Sequence, residues 1–419
     1  MRERSDGSLA SLRRLNRRRV INALREHGMI SRADIARRTG LSRSTVSSLV
    51  SELQSDGLVV EREEPGAAHG DERSGDGPST RGRSGRPPIL LSFDATAGAA
   101  LGIDFGHSHV RVAVSDLSSN ILAERAAPLD TDHAARQGLD VALELIDGAL
   151  ADAGVERSRV IGAGLGLPGP VDGAVGRIGS SAILPGWVGV AAGEEMRRRL
   201  DVPVSVDNDA NLGALAELTH GAGRGATDLV YLKISSGIGA GLILGGRLYR
   251  GAGGVAGELG HVLVDPEGPV CRCGNRGCLE TAASTGALLD MLRRSHGELT
   301  VGEMLALAHD GDLGCRRVIA DAGRVVGSAA AGVFNLLNPQ LLVVGGDLAE
   351  AGDLLLDGVR GSLRLAALPA AADAADVVPG VLGERAQVLG ALALAVGEAG
   401  AALEFPESII HPVPGGGVP

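Results

Sequence analysis

The sequence predicts two parts, a small N-terminal winged helix-turn-helix and a larger C-terminal α/β domain. Residues 10–60 contain three helical patterns followed by a strand, and a second strand at residues 89–93 lies beyond a break rich in Gly and Pro. From residue 99 onward, strand-like and helix-like stretches alternate, which is typical of an α/β architecture. The chain of 419 residues is long enough to hold both parts.

The first helix is predicted over residues 10–28, where five apolar residues can share one side of the helix and arginines surround the rest. A second helix is predicted over residues 32–39. Ser31 is its expected N-cap, Asp34 lies at the third helical position as in a capping box, and Gly40 is expected to end the helix.

A third helix is predicted after Ser42, its N-cap, and its apolar residues are spaced to pack inward. Short hydroxyl side chains and an arginine face outward on the same helix, which suits entry into the major groove of DNA and contact with phosphates. An ordinary three-helix bundle with a solvated face is the alternative. The predicted DNA-binding residues are Ser42, Arg43, Ser44, Thr45, Ser47 and Ser48.

The segment 65–87 contains six Gly and three Pro and cannot bury enough apolar surface to order itself. It lies between two predicted strands, Leu58–Glu63 and Ile89–Phe93. Two strands around a long, flexible loop directly after three helices form a wing. The winged helix-turn-helix is therefore predicted over residues 1–92, with its flexible wing loop at 65–87.

The remaining chain is predicted to begin with a hairpin and to end in a tail with little order from residue 401. Further strands are expected at residues 160–167, 203–207, 228–234 and 341–345. Helices are expected at residues 134–153, 190–200, 210–221, 281–295 and 315–337.

The charge distribution separates the two parts. Residues 1–60 hold 12 Arg against 6 Asp plus Glu, whereas the remainder holds 28 Lys plus Arg against 45 Asp plus Glu. A basic head on an acidic body suggests a polyanionic partner, operator DNA, for the head alone. We find no long apolar stretch and no apolar segment after the Arg-rich N-terminus, so we expect a cytoplasmic protein without membrane contact.

Three of the four cysteines lie within eight residues, which favours a metal over disulfides in a cytosolic chain. His261, Cys271, Cys273 and Cys278 follow the spacing H-x9-C-x-C-x4-C. One imidazole and three thiolates complete a tetrahedral shell, so we expect one structural zinc per chain. Buried free thiols are the alternative, and Cys315 is interpreted as a small core residue.

Polar residues at a predicted strand end suggest a binding site, since carboxylates and amides bind hydroxyl groups. Asn208 and Asp209 lie there, and Glu258 and Glu280 flank the cysteine cluster. Taken alone these residues also fit helix caps and surface acids. Glycine-rich turns could approach a phosphate or serve only as tight turns; the candidate nucleotide-binding residues in them are Asp104, Gly106, Gly237, Gly239, Gly345 and Gly346.

Taken together, these motifs strongly resemble the ROK family, named for repressors, open reading frames and kinases. The runs Leu165–Asp172, Gly257–His261 and Cys271–Glu280 are similar to its signatures. The resemblance implies an actin-like (ribonuclease H-like) fold of two α/β lobes over residues 97–400, assembled as a homodimer or homotetramer.

Residue by residue, the resemblance also implies roles in the cleft. It places Asp209 as the base that a kinase of this family would use. It implies sugar contacts by Asn208, Asp209, Glu258, His261 and Glu280. His261 would then bind the metal through one ring nitrogen and face the sugar with the other.

The sequence departs from the family kinases at two phosphate turns. The turn Asp-x-Gly-Gly-Thr has His107 in place of its second glycine, and a run of three glycines ends in Asp347. A bulky imidazole and an added negative charge both oppose an anionic nucleotide. These departures argue against ATP and Mg²⁺ binding and against kinase activity. On the sugar side, Ile183 replaces the polar residue usual before Leu-Pro-Gly-Trp.

The resulting prediction is a DNA-binding transcriptional regulator, a repressor of carbohydrate-related genes that responds to a sugar or sugar phosphate. The alternatives are an ATP-dependent sugar kinase, active or bifunctional, and a regulator whose larger domain binds a partner protein.

Overall fold

A computed structural model describes residues 12–13, 15–17, 19–24, 27–55, 57–62, 89–169, 171–172, 177–178 and 185–402. These residues form two compact units. The smaller unit holds the described residues up to Gly98 with Asp116–Ser118 and those from Gly397, and the larger unit holds Ala99–Ser115 and Ser119–Val396. The predicted wing loop and most of the predicted tail lie outside the described residues. Within the described part, no helix has the length and apolarity that a membrane span requires.

The smaller unit has the predicted helices and wing strands. Helix α1 covers the described helical residues between 12 and 27, α2 is Arg32–Thr39 and α3 is Arg43–Ser55. A three-stranded antiparallel sheet has the order β1–β3–β2, with β1 at Ile30–Ser31, β2 at Val59–Arg62 and β3 at Leu90–Phe93.

Local hydrogen bonds start and end α2 as predicted. The Ser31 hydroxyl accepts from the Asp34 amide at 3.2 Å, and the Asp34 carboxylate accepts from the Ser31 amide at 3.3 Å. Gly40 ends the helix in the left-handed region with a φ of 71°. The predicted apolar face of α3 is buried, as are Ile35 and Leu91, and the other face of the helix is exposed to solvent.

The first lobe of the larger unit is built on a five-stranded mixed sheet with the order β10–β7–β4–β5–β6. The predicted hairpin is β4 and β5, which are neighbours in this sheet. Its strands are β4 Ala99–Phe105, β5 His109–Asp116, β6 Ile121–Pro128, β7 Val160–Leu167 and β10 Val204–Asn208. Helices α4 Ala135–Ala153 and α5 Ala192–Leu200 accompany it, and β8 Val171–Asp172 pairs with β9 Arg177–Ile178.

The second lobe has a second five-stranded mixed sheet with the order β13–β12–β11–β14–β15. Its strands are β11 Leu229–Ile234, β12 Ile238–Leu244, β13 Arg247–Tyr249, β14 Leu341–Gly345 and β15 Asp376–Pro379. Its helices are α7 Leu279–Ala283, α8 Thr285–His296, α9 Val301–His309, α10 Leu313–Leu337, α11 Asp353–Ala366 and α12 Pro369–Asp373.

Two further helices connect the lobes, α6 Asp209–His220 and α13 Ala386–Ala402. Apolar residues of α6 pack on the second sheet, those of α13 pack on the first sheet, and the two helices meet at Leu212. The described residues therefore show the two α/β lobes that the actin-like prediction requires.

The prediction was wrong in one helix and incomplete elsewhere. The helix expected at 281–295 is two helices, because Ser284 adopts an extended backbone and its hydroxyl accepts from the Ala287 amide to cap α8. Helix α13 also continues two residues into the predicted tail. Six strands and four helices of the larger unit were not predicted: β6, β8, β9, β12, β13, β15, α9, α11, α12 and α13.

Candidate functional site

The predicted DNA-contacting face of α3 is accessible in the smaller unit. The side chains of Ser42, Arg43, Ser44, Ser47 and Ser48 are exposed, and that of Thr45 is half-buried. The Ser42 hydroxyl accepts from the Thr45 amide at 3.1 Å, which caps α3.

Arg43 differs from the neighbouring Arg32 and Arg37, which both form ion pairs. Arg32 pairs with Glu61 and Arg37 pairs with Asp34. Among the described residues, Arg43 has no hydrogen-bonding or ion-pair partner. Its five N–H donors at the start of an exposed helix are available to a phosphate or a base edge.

All the residues predicted to contact a sugar line one cavity between the lobes of the larger unit. Asn208 and Asp209 come from the junction of β10 and α6, Glu258 and His261 from the loop after β13, and Glu280 from α7. The fold therefore brings together residues that lie more than 70 positions apart in the chain.

The cavity wall at Asn208 and Asp209 is formed by the first turn of α6. Asn208 caps this helix by accepting from the Asn211 amide at 2.7 Å, which leaves its side-chain NH₂ for a ligand. The Asp209 carboxylate accepts from the Ala210 amide at 2.9 Å and from Lys233 Nζ at 2.7 Å. Burial would lower the pKa of Lys233, but Asp209, Asp104 and Asp347 raise it above its ordinary value, so Lys233 is a cation.

Glu258 and His261 face each other on the opposite wall. Gly257 has a φ of 96° and approaches the backbone of Ala240 closely, which positions the carboxylate that follows it. His261 Nε2 lies 3.8 Å from Glu258 Oε2. Burial, and secondly the charges of Asp209 and Glu280, raise the pKa of Glu258, while His261 lowers it.

The four predicted metal ligands come together. The ligand atoms of His261, Cys271, Cys273 and Cys278 all lie within 4.8 Å of one another. His261 Nδ1 is 3.7 Å from Cys271 Sγ, so this nitrogen faces the thiols while Nε2 faces the cavity. The residues could hold one metal ion, and the cluster shares the His261 ring with the cavity.

Backbone hydrogen bonds shape the loop that carries the three cysteines. The Cys271 amide donates to the carbonyl of Asn275, and Gly277 closes the loop with a φ of 66°. Burial and the neighbouring thiols raise the pKa of Cys278 to about 12. A cation at the centre would reverse this shift, because metal ligation requires the thiolate.

A second group of potential ligands, His296, Asp312 and Cys315, has a structural explanation. Asp312 caps α10 by accepting from the Cys315 amide at 2.8 Å and lies 3.2 Å from His296 Nε2. The Cys315 side chain is fully buried in the core of the second lobe, as the sequence predicted.

Arg272 reaches the cavity from the loop that carries the three cysteines, which we call the metal loop. Its Nε lies 2.9 Å from Glu280 Oε1, and its guanidinium also donates to the carbonyl of Ser236 at 3.3 Å. The other Glu280 oxygen accepts from the Ile238 amide at 3.2 Å. Both Glu280 oxygens are therefore engaged before any ligand binds, and Arg272 connects the metal loop to the cavity.

The candidate nucleotide-binding glycines divide between two cavities. Gly237 and Gly239 line the cavity just described. Gly106, Gly345 and Gly346 line a neighbouring cavity of about 460 Å³. The second cavity also carries four acidic side chains: Glu217, Asp347, Glu350 and Glu384.

Asp104, at the first phosphate turn, is buried and already has a partner. His109 Nε2 lies 3.0 Å from its carboxylate. His107 lines both cavities, with its Nδ1 2.7 Å from Asp132. The imidazoles of His107 and His109 thus lie at a turn whose backbone amides would have to approach a phosphate closely.

An ion pair joins the two walls of the first cavity. Arg250 Nη2 lies 2.6 Å from the buried Asp207 carboxylate, whose other oxygen accepts from Asn211 Nδ2 at 2.7 Å. Asp207 directly precedes Asn208, and Arg250 begins the loop that ends at Glu258. The pair therefore fixes these two walls relative to each other.

Sequence reasoning missed Lys233, Arg250 and Arg272 as residues of the site. The spacing of Arg250 and Arg272 offered no signal, because an arginine in an Arg-rich chain is ordinary. Lys233 did offer one, since it is the only lysine in the sequence.

The two units define a winged helix-turn-helix joined to a two-lobed domain of the sugar-kinase type with a polar cleft. The chain belongs to the ROK family. The family model matches residues 100–398, and a model of winged helix-turn-helix DNA-binding domains matches residues 13–60.

Similar proteins share both parts. The xylose repressor of Caldicellulosiruptor bescii is 29% identical over 415 residues, 96% of this chain and 99% of that protein. The DNA-binding transcriptional dual regulator NagC of Escherichia coli is 31% identical over 401 residues, 93% of this chain and 94% of that protein. The crystal structure of a ROK family transcriptional regulator, a homolog of the E. coli MLC protein, superposes with a TM-score of 0.78 at 27% identity, covering 93% and 97% of the chains.

Proposed function

We propose that this protein is a transcriptional repressor of carbohydrate-related genes that binds operator DNA through α3 and the wing. Its effector is a sugar or sugar phosphate that binds in the cleft of the larger unit. The observation that carries this proposal is the convergence of Asn208, Glu258 and His261 on one cavity in a chain that also has a DNA-binding unit. The names of its relatives, a xylose repressor and NagC, support it.

Zinc is the metal that best fits the four-residue cluster, and it would have a structural role. Three thiolates and one imidazole fill a tetrahedral shell and leave no open position for water. The ion would hold His261 and Arg272 in place at the cavity. As family members, such chains would work as homodimers or homotetramers, which allows two DNA-binding units to contact two half-sites.

The kinase alternative is less supported. Asp104 is paired with His109, and the would-be base Asp209 is paired with Lys233. Four carboxylates line the neighbouring cavity against two permanent cations, Arg111 and Lys233, so the excess of negative charge opposes the phosphates of a nucleotide. Recognition of a sugar remains as the role of the groups in the first cavity.

Glu258→Ala is expected to abolish the response to the effector while leaving DNA binding without effector intact. Among the cavity carboxylates, Glu258 accepts no hydrogen bond within the described residues, so it is available to a sugar hydroxyl. Losing it should cost about 1–3 kcal/mol of effector binding. An effector shifts DNA affinity only by its differential affinity for two states, so the response falls with it. Calorimetry with sugars and operator binding with and without them measure both effects.

The control is Glu298→Ala, which removes an exposed carboxylate on a surface loop. It should leave the response unchanged. If Glu258→Ala retains the full response to an effector identified with the wild-type protein, the effector does not bind in this cavity, and a partner-protein effector becomes the better explanation.

Arg250→Met is expected to weaken effector binding by about 1–3 kcal/mol, because Asp207 would keep a buried charge without its cation and the two walls would lose their connection. Arg250→Lys should restore part of the affinity. Calorimetry measures the affinity, and a thermal melt without effector measures stability. Equal effector affinity in Arg250→Met and in the exposed control Arg293→Met would show that the pair does not position the cavity.

A further inference from the structure

Lys233 is the only lysine among the 40 lysine and arginine residues of the chain. Arginine occupies every other position with a permanent positive charge, including exposed, paired and half-buried ones. A lysine retained in this composition meets a requirement that a planar guanidinium does not. The ammonium group is compact, carries its charge on one atom and can direct three N–H donors into a narrow space.

Lys233 lies at the junction of the two cavities. It lines both of them, together with His107, Ser235 and Ser236. Its side chain is 19% exposed, and one of its N–H groups donates to Asp209. Two N–H donors remain, and no other partner is found for them within the described residues.

Two ion pairs in the first cavity leave cationic donors that a ligand with acceptor groups can use. Asp209 and Glu280 each have both oxygens engaged, the first by Lys233 and Ala210 and the second by Arg272 and Ile238. Each carboxylate oxygen can accept a further hydrogen bond, and both cations of these pairs keep unused N–H donors. A neutral sugar would leave their charged donors facing hydroxyls, whereas an anionic group makes charge-assisted hydrogen bonds with them.

The neighbouring cavity limits the size of that anion. Its wall also carries Asp347, Glu350 and Glu384, the last of which pairs with Arg111, so an extended polyphosphate would meet like charges. A single phosphate or carboxylate at the junction would reach Lys233, His107 and the two serines and would meet fewer of these carboxylates than a polyphosphate.

We propose that the effector is an anionic sugar, a sugar phosphate or a sugar acid, whose charged group binds Lys233 Nζ. Its hydroxyl groups contact Asn208, Glu258 and His261. This inference rests on the proposed function of the cleft as the effector site. It assigns to Lys233 the preference for anionic over neutral sugars.

The first test compares matched sugars on the wild-type protein. Glucose, galactose, mannose and N-acetylglucosamine are titrated against their 6-phosphates, and the first three also against their uronates, by calorimetry. We expect at least one anionic member to bind about 10-fold or more tightly than its neutral partner, the range that a hydrogen bond to a charged group supplies. The preferred series, phosphate or carboxylate, identifies the charged group.

Variants then assign the preference to Lys233. Lys233→Met should bring the anionic and neutral affinities within about twofold, and Lys233→Arg should not restore the wild-type difference. The double variant Lys233→Met with Asp209→Asn removes both charges of the ion pair and leaves the net charge of the cavity unchanged. It replaces the single variant in this test if the single variant is unstable in a thermal melt. It too should lose the preference.

A neutral sugar that binds as tightly as its anionic partners and releases operator DNA would overturn this inference and leave the proposed function standing. So would an anionic preference that persists in both Lys233→Met variants. If no sugar of either kind binds, the proposed function and the inference both fail.

Discussion

Replacing Cys273 with serine is expected to release the metal and destabilise the larger unit. The wild-type protein should contain about one zinc per chain that resists dialysis, because three thiolates and an imidazole bind zinc strongly, with apparent free energies of roughly 10–16 kcal/mol in small zinc-binding peptides. Serine removes one thiolate from the four-residue shell. The melting temperature should fall, and the effector response should fall with it, since His261 and Arg272 belong to the same loop.

Metal analysis by mass spectrometry and thermal denaturation measure the two effects. Cys315→Ala is the matched control, since it removes a buried cysteine outside the cluster and should leave the zinc content unchanged. Zinc-free wild-type protein, purified without chelators, would contradict the metal assignment. So would a full complement of zinc in Cys273→Ser.

Arg43→Ala is expected to weaken operator binding by about 1–3 kcal/mol, the range for a bidentate contact to a base. Its guanidinium is exposed at the start of α3 and has no partner among the described residues. Operator affinity of the wild type should also fall steeply with salt, by about 10³- to 10⁵-fold between 50 and 200 mM if 6–10 phosphates are contacted.

Fluorescence anisotropy with a DNA fragment selected by the protein from a randomised library measures both quantities. Arg317→Ala removes the same charge from the exposed surface of α10 and serves as the control. Operator affinity that is insensitive both to Arg43→Ala and to salt would exclude the α3 face as the DNA interface.

Local features of the fold were predicted well because their causes lie within a few residues. The capping box of α2 needs only Ser31 and Asp34, three positions apart, and the buried face of α3 follows from helical periodicity. The same periodicity hid the break at Ser284, because an N-cap inside a continuous apolar pattern changes the backbone without changing the pattern. Helix α9 carries a capping box at Thr300 and Glu303 that the sequence prediction did not use.

The proximity of the four residues in the candidate metal cluster was predictable for a related reason. Cys271, Cys273 and Cys278 lie in one short loop, so their side chains are near one another in any compact arrangement, and thiols with an imidazole in such spacing suit zinc. The cavity residues were predicted only through the resemblance to the ROK family, since isolated Asn, Asp and Glu residues fit many roles.

By itself, the sequence determined the two-part architecture, the exposed face of α3 and the four residues of the candidate metal cluster, all of which depend on local spacing and composition. Only the tertiary structure decided which charges meet in the cleft. It paired Asp209 with Lys233, Asp104 with His109, and Glu280 with Arg272. The physical reason is that a carboxylate's role depends on its partner and burial, and those are set by the packing of two lobes whose residues are distant along the chain.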